Sequence, residues 1–118
     1  SPGFPPSEKA LRDKIARSYE RSYHPAGYAR QMAAIMASGD RVSDLKKIIA
    51  PTLVIHGNAD PLVPVEGGID TARHVANATL EIIEGMGHDL PKELLPRFAQ
   101  LIGDHCDTAL RKDEAKTA

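Results

Sequence analysis

The chain predicts an α/β fold: two parallel strands joined by a βαβ crossover, with helices before them and a helix after. Three observations carry this. Leu53-Val54-Ile55 is an apolar run entered through Pro51 and left through Gly57, the pattern of a parallel strand covered on both faces. Thr79-Leu-Glu-Ile-Ile83 is a second short strand candidate. Between them, Glu66 to about Val75 reads as a helix whose buried stripe is Ile69, Ala72 and Val75 or Ala76. Pro51 to Ile83 therefore has the length of a crossover unit of about 30 residues, which is right-handed by rule. Gly67 and Gly68 weaken the start of this helix by about 1 kcal/mol each relative to alanine.

The flanking elements follow in order. Residues 1 to 6 hold three prolines and a glycine and form a flexible, extended lead-in. Ser7 caps a helix running to about Tyr23, with Leu11, Ile15 and Tyr19 on one face. His24-Pro25 ends it, since a residue before proline is pushed out of the helical region. A second helix spans about Pro25 to Ala37, carries Tyr28, Met32, Ile35 and Met36, and stops at Ser38-Gly39-Asp40. Ser43 caps a short turn reaching Lys47. Past the second strand, Leu94, Leu95, Phe98, Leu101 and Ile102 define an amphipathic helix to about Cys106, and the charged tail 107–118 is expected to fray. The resulting organisation is lead-in 1–6, helical segment 7–48, α/β core 49–106 and tail 107–118.

Composition narrows the function classes. With 15 basic and 16 acidic side chains there is no electrostatic footprint for nucleic acid, and aromatics at 4% offer few stacking platforms. No run approaches the ~18 apolar residues of a membrane span, so a membrane is not an expected partner. A single cysteine, Cys106, excludes an internal disulfide and suits a cytoplasmic setting. His74, His105 and Cys106 lack the paired spacing of a zinc site, and His105 and Cys106 point about 100° apart on a helix. Neither metal nor cofactor is expected.

The residues that suggest chemistry lie just beyond the two strands. Asp60 follows the first and His88 sits on the glycine-rich loop after the second, where open α/β sheets place ligands and reactions. The motifs Pro51-Thr-Leu-Val-Ile-His-Gly-Asn-Ala-Asp-Pro-Leu-Val-Pro64 and Gly85-Met-Gly-His-Asp-Leu-Pro91 make residues 45 to 106 similar to the C-terminal third of α/β-hydrolase-fold enzymes of the esterase and lipase kind. That resemblance implies a partial α/β-hydrolase fold, with the helices of 7–48 as the lid or its connection.

In that family the order is nucleophile, acid, histidine, so the resemblance gives Asp60 as the acid and His88 as the base. The carboxylate fixes the imidazole tautomer and stabilises the imidazolium, while the imidazole activates the nucleophile. The expected nucleophile is a Ser, Asp or Cys on a sharp turn such as G-x-S-x-G. None of Ser1, Ser7, Ser18, Ser22, Ser38 or Ser43 lies in that frame, and the oxyanion-hole loop is missing as well. The His56-Gly57 pair belongs to the strand carrying the acid, and His56 reads as a packed, hydrogen-bonded structural residue. Glu84 and Asp89, beside the histidine, read as solvated or capping groups.

The chain is thus expected to be a C-terminal fragment of a hydrolase of esters or related acyl compounds, supplying acid and base but inactive alone. Its expected partners are a small-molecule acyl substrate, in the complete enzyme, and the N-terminal part of the fold. A complete sheet of this kind has eight strands and needs more than about 200 residues. The alternative is a noncatalytic, self-associating module derived from such an enzyme. An open apolar strand edge invites pairing, so a homo-oligomer is expected in either case.

Overall fold

A computed structural model describes residues 1–117. The chain divides into two units: Pro6–Ser43, and Ser1–Pro5 together with everything from Asp44 onward.

The first unit is helical. Helix α1 spans Glu8–Arg21, and the Ser7 hydroxyl accepts the Ala10 N–H at 3.3 Å, which satisfies one of the free donors of its first turn. Its end at Arg21, just short of His24-Pro25, follows from the proline. Helix α2 spans Pro25–Ser38 with proline in its first turn, where the missing N–H costs nothing. Gly39, with φ of 61°, supplies the positive dihedral that ends it. The short helix α3, Val42–Leu45, differs from expectation in its cap. Asp40 Oδ1 accepts the Val42 N–H at 2.9 Å, whereas Ser43 lies inside the turn.

The second unit is built on strands β1 (Thr52–Gly57) and β2 (Ala78–Ile83), which run parallel with Thr52 opposite Ala78 and Gly57 opposite Ile83. Helix α4 (Val65–His74) joins them and packs on both. Strand alternation puts Val54, His56, Leu80 and Ile82 on one face and Leu53, Ile55, Glu81 and Ile83 on the other. On the latter face the core forms from Ile83, Met86, Leu94 and Phe98, with Ile55 and Phe4 packed against it.

Three expectations need correction. The apolar run of β1 is only half-buried from Thr52 to His56, because among the described residues β1 pairs with β2 alone and its other edge is open. The lead-in does not stay apart: the Gly3 N–H donates to Gly85 O at 2.8 Å and Phe4 joins the core. The final helix, α5, continues from Leu95 to Thr117, well beyond Cys106, which is itself exposed. Its inward stripe of Phe98, Leu101, His105 and Ala109 keeps helical spacing past residue 106, and residues 107–117 are rich in strong helix formers. Ala118 lies outside the described residues.

Two glycines give a paired test of this packing. A Cβ on Gly57 would lie 2.1 Å from the Met86 carbonyl oxygen, whereas one on Gly103 of α5 meets nothing within 4 Å. Gly57→Ala is expected to destabilise by about 1–3 kcal/mol and Gly103→Ala to stabilise by up to ~1 kcal/mol, both read from urea unfolding. Equal responses at the two positions would contradict the close approach of Gly57 to the histidine loop.

Candidate active site

The parallel register carries the carboxyl ends of both strands to the same edge, so the loops leaving them run side by side. Backbone bonds extend the pairing beyond the strands: Asn58 N–H donates to Ile83 O at 3.2 Å and Ala59 N–H to Met86 O at 3.0 Å. Gly85, with φ of 72°, turns the second loop back toward the first. The Asn58 side chain then ties them, its Oδ1 accepting the Gly85 N–H at 2.8 Å and its Nδ2 donating to Glu84 Oε2 at 2.7 Å.

On this platform Asp60 and His88 meet, with His88 Nδ1 2.8 Å from Asp60 Oδ2. An ionised carboxylate can only accept, so Nδ1 donates and, in the neutral ring, Nε2 presents its lone pair. The other carboxylate oxygen is held from its own loop. Asp60 Oδ1 accepts the N–H groups of Leu62 at 2.8 Å and Val63 at 3.0 Å, a turn favoured because Pro61 offers no donor of its own. Only 4% of the Asp60 side chain is exposed against 56% for His88, so the acid is shielded and the imidazole is reachable.

Burial pushes the Asp60 carboxyl upward, but the N–H of Val63, the bond from His88, the N–H of Leu62 and the His88 charge outweigh it. The group is held at about 2, below its ordinary 3.8, and is therefore an anion throughout the neutral range.

His56 also reaches the acid loop. Its Nε2 lies 3.0 Å from Val63 O and 3.8 Å from Asp60 Oδ2. Glu84 is taken by Asn58, as noted, and Asp89 Oδ1 accepts the Ser1 hydroxyl at 2.6 Å. Both acids are structural ties of the histidine loop. The bond of Leu62 to Asp60 had a sequence signal, Asp-Pro followed by two free N–H groups. The Asn58 tie had none, because it joins residues 27 apart. His74 stays on its own helix, with Nδ1 2.9 Å from Asp70 O.

A crossover βαβ unit with an acid and an imidazole at the carboxyl edge defines a member of the α/β-hydrolase class. Residues 9–94 match the model of the family described as serine aminopeptidase, S33, and the chain belongs to that family. Among curated relatives, it is 40% identical over 103 residues to a 2-hydroxymuconate semialdehyde hydrolase of Pseudomonas sp. strain CF600, covering 80% of this chain and 36% of the relative. A non-heme chloroperoxidase, CPO-A1, of Kitasatospora aureofaciens is 42% identical over 52 residues, covering 43% of this chain and 19% of the relative. The monoacylglycerol lipase ABHD6 of Bos taurus is 28% identical over 96 residues, covering 79% and 28%. The chain therefore spans roughly a fifth to just over a third of the length of these relatives. Among the described residues, no helix is long and apolar enough to cross a membrane.

The state of Asp60 fixes a pH dependence. Its folded-state pKa lies below the unfolded value, so its stabilising contribution is fully present above about pH 4 and drains as pH falls toward about 2. Urea unfolding between pH 5 and pH 2 is expected to show a shallower loss of stability for Asp60→Asn than for the parent chain. Identical slopes would mean that Asp60 is not held by these bonds.

Proposed function

We propose that this chain supplies the acid and base of an acyl-transfer triad, Asp60 and His88, to an α/β-fold hydrolase of esters or related acyl compounds. The observation that carries this reading is the 2.8 Å approach of His88 Nδ1 to a shielded, ionised Asp60 at the carboxyl edge of two parallel strands. In the catalytic cycle, His88 Nε2 takes the proton of the nucleophile as its oxygen attacks the acyl carbon, and returns it to the leaving group. Asp60 keeps the ring in the Nδ1–H tautomer and stabilises the imidazolium.

The nucleophile comes from outside the 118 residues, since none of their serines stands in an elbow frame. The chain alone is therefore proposed to be catalytically incomplete. Among the relatives' names, monoacylglycerol lipase points to an acyl substrate, whereas the semialdehyde hydrolase and the chloroperoxidase name other chemistry, so the names do not choose the substrate. The helices of Pro6–Ser43 are proposed to belong to the lid that makes that choice, and the enzyme to work in the cytoplasm.

The test compares p-nitrophenyl acetate hydrolysis by the chain alone and joined to an upstream segment carrying a G-x-S-x-G elbow. Background rates are expected for the first and His88-dependent turnover for the second. In the joined protein, Asp60→Asn is expected to lower kcat about 10⁴-fold and His88→Ala at least as much. Retention of full activity by His88→Ala would sink the triad reading, and His88-dependent activity of the chain alone would sink its incompleteness.

A second reading, a self-associating module, draws on the open edge and half-buried apolar residues of β1. Light scattering at rising concentration is expected to report a dimer or larger species. A monomer at all concentrations would remove this reading.

A further inference from the structure

The molecule holds a second imidazole beside the acid, and its surroundings are more constrained than those of an ordinary core histidine. His56, the penultimate residue of β1, lies on the face that α4 covers, with 13% of its side chain exposed. Its Nε2 lies 3.0 Å from Val63 O. A carbonyl only accepts, so Nε2 carries a proton and donates it. Val63 is also the residue whose N–H holds Asp60 Oδ1 at 3.0 Å. The imidazole therefore grips one side of a peptide-bearing residue whose other side grips the acid. The same Nε2 is 3.8 Å from Asp60 Oδ2, the oxygen that takes the His88 bond.

Room for this ring is made by Gly68 on α4, where a Cβ would lie 2.7 Å from His56 Nδ1 and 2.9 Å from its Cβ and Cγ. A glycine inside a ten-residue helix costs helix stability, and here that cost coincides with the seat of the imidazole.

We propose that His56 is a positioning residue for the acid: through Val63 it fixes the Asp60 turn so that one carboxylate oxygen stays on the Leu62 and Val63 N–H groups while the other faces His88. This rests on the reading of Asp60 and His88 as a catalytic pair. A leucine at position 56 would fill the space but leave the Val63 carbonyl unclamped, and the turn would then be free to rotate its carboxylate away from His88. A glutamine could place an amide N–H near the position of Nε2 and preserve the bond.

The tautomer of His88 reports this geometry directly, and long-range ¹H–¹⁵N NMR of the labelled 118-residue chain at alkaline pH reads it. In the parent chain the Nδ1–H form is expected to dominate. His56→Leu is expected to reduce the Nδ1–H population at least two-fold, and His56→Gln to keep most of it. Gly68→Ala, which displaces the ring without removing it, is expected to act in the direction of His56→Leu and serves if that variant does not fold.

Asp60→Ala separates the two levels of inference. If it abolishes the Nδ1–H preference while folded His56→Leu or Gly68→Ala leaves the preference intact, His56 is not a positioning residue and the catalytic pair stands. If Asp60→Ala leaves the tautomer unchanged, the pair itself fails and the role of His56 fails with it.

Discussion

The parallel register of β1 and β2 is the constraint on which the rest depends. With Gly57 opposite Ile83, the two chains leave the sheet at the same level, and the bonds from Asn58 to Ile83 and Ala59 to Met86 continue the pairing into the loops. A slip of one residue would turn every side chain to the other face, exchanging His56 with Ile55 and removing both the core contact of Ile55 and the seat of His56 over Gly68. Gly57 is required for the same reason, because the Met86 carbonyl passes where a side chain would begin. The loops carrying Asp60 and His88 are thus brought together by backbone geometry before any side chain of the site acts.

What the side chains add is electrostatic order. A shielded carboxylate is unfavourable unless its charge is matched by donors, and three donors meet Asp60: two backbone N–H groups on one oxygen and the His88 ring on the other. Because the backbone donors belong to the same loop as the acid, the anion is stabilised whether or not His88 is engaged. The carboxylate therefore keeps a fixed negative charge beside the His88 ring.

The legible parts of the sequence were those governed by local rules. Pro51, the apolar run and Gly57 marked β1; Ser7 marked the start of α1; Asp60 and His88 stood out through their motifs. The Ser43 cap failed because Asp40, three residues earlier, competes for the same turn and wins. The extent of α5 was missed because charge and alanine beyond Cys106 read equally as a solvated tail or as a strong helix former, and the half-buried His105 and Ala109 decide between them only in three dimensions. The same holds for Phe4, whose place in the core depends on Gly3 reaching Gly85. Gly68 shows the limit most clearly: by propensity it is a defect in α4, and its reason is a ring twelve residues earlier on another element.

These bonds also say where the site's precision comes from. The strand-end bonds, the Asn58 tie, the Asp60 turn, the His56 clamp and the acid–imidazole bond are all made by residues 56 to 88. Relatives with quite different names share similarity with this chain. The histidine loop is held from outside residues 56 to 88 as well, by the Gly3 N–H on Gly85 O at 2.8 Å and by the Ser1 hydroxyl, which accepts the Gly87 N–H at 2.9 Å. The approach of His88 to Asp60 therefore depends on the two loops that carry them and on the lead-in that braces the second loop from its outer side.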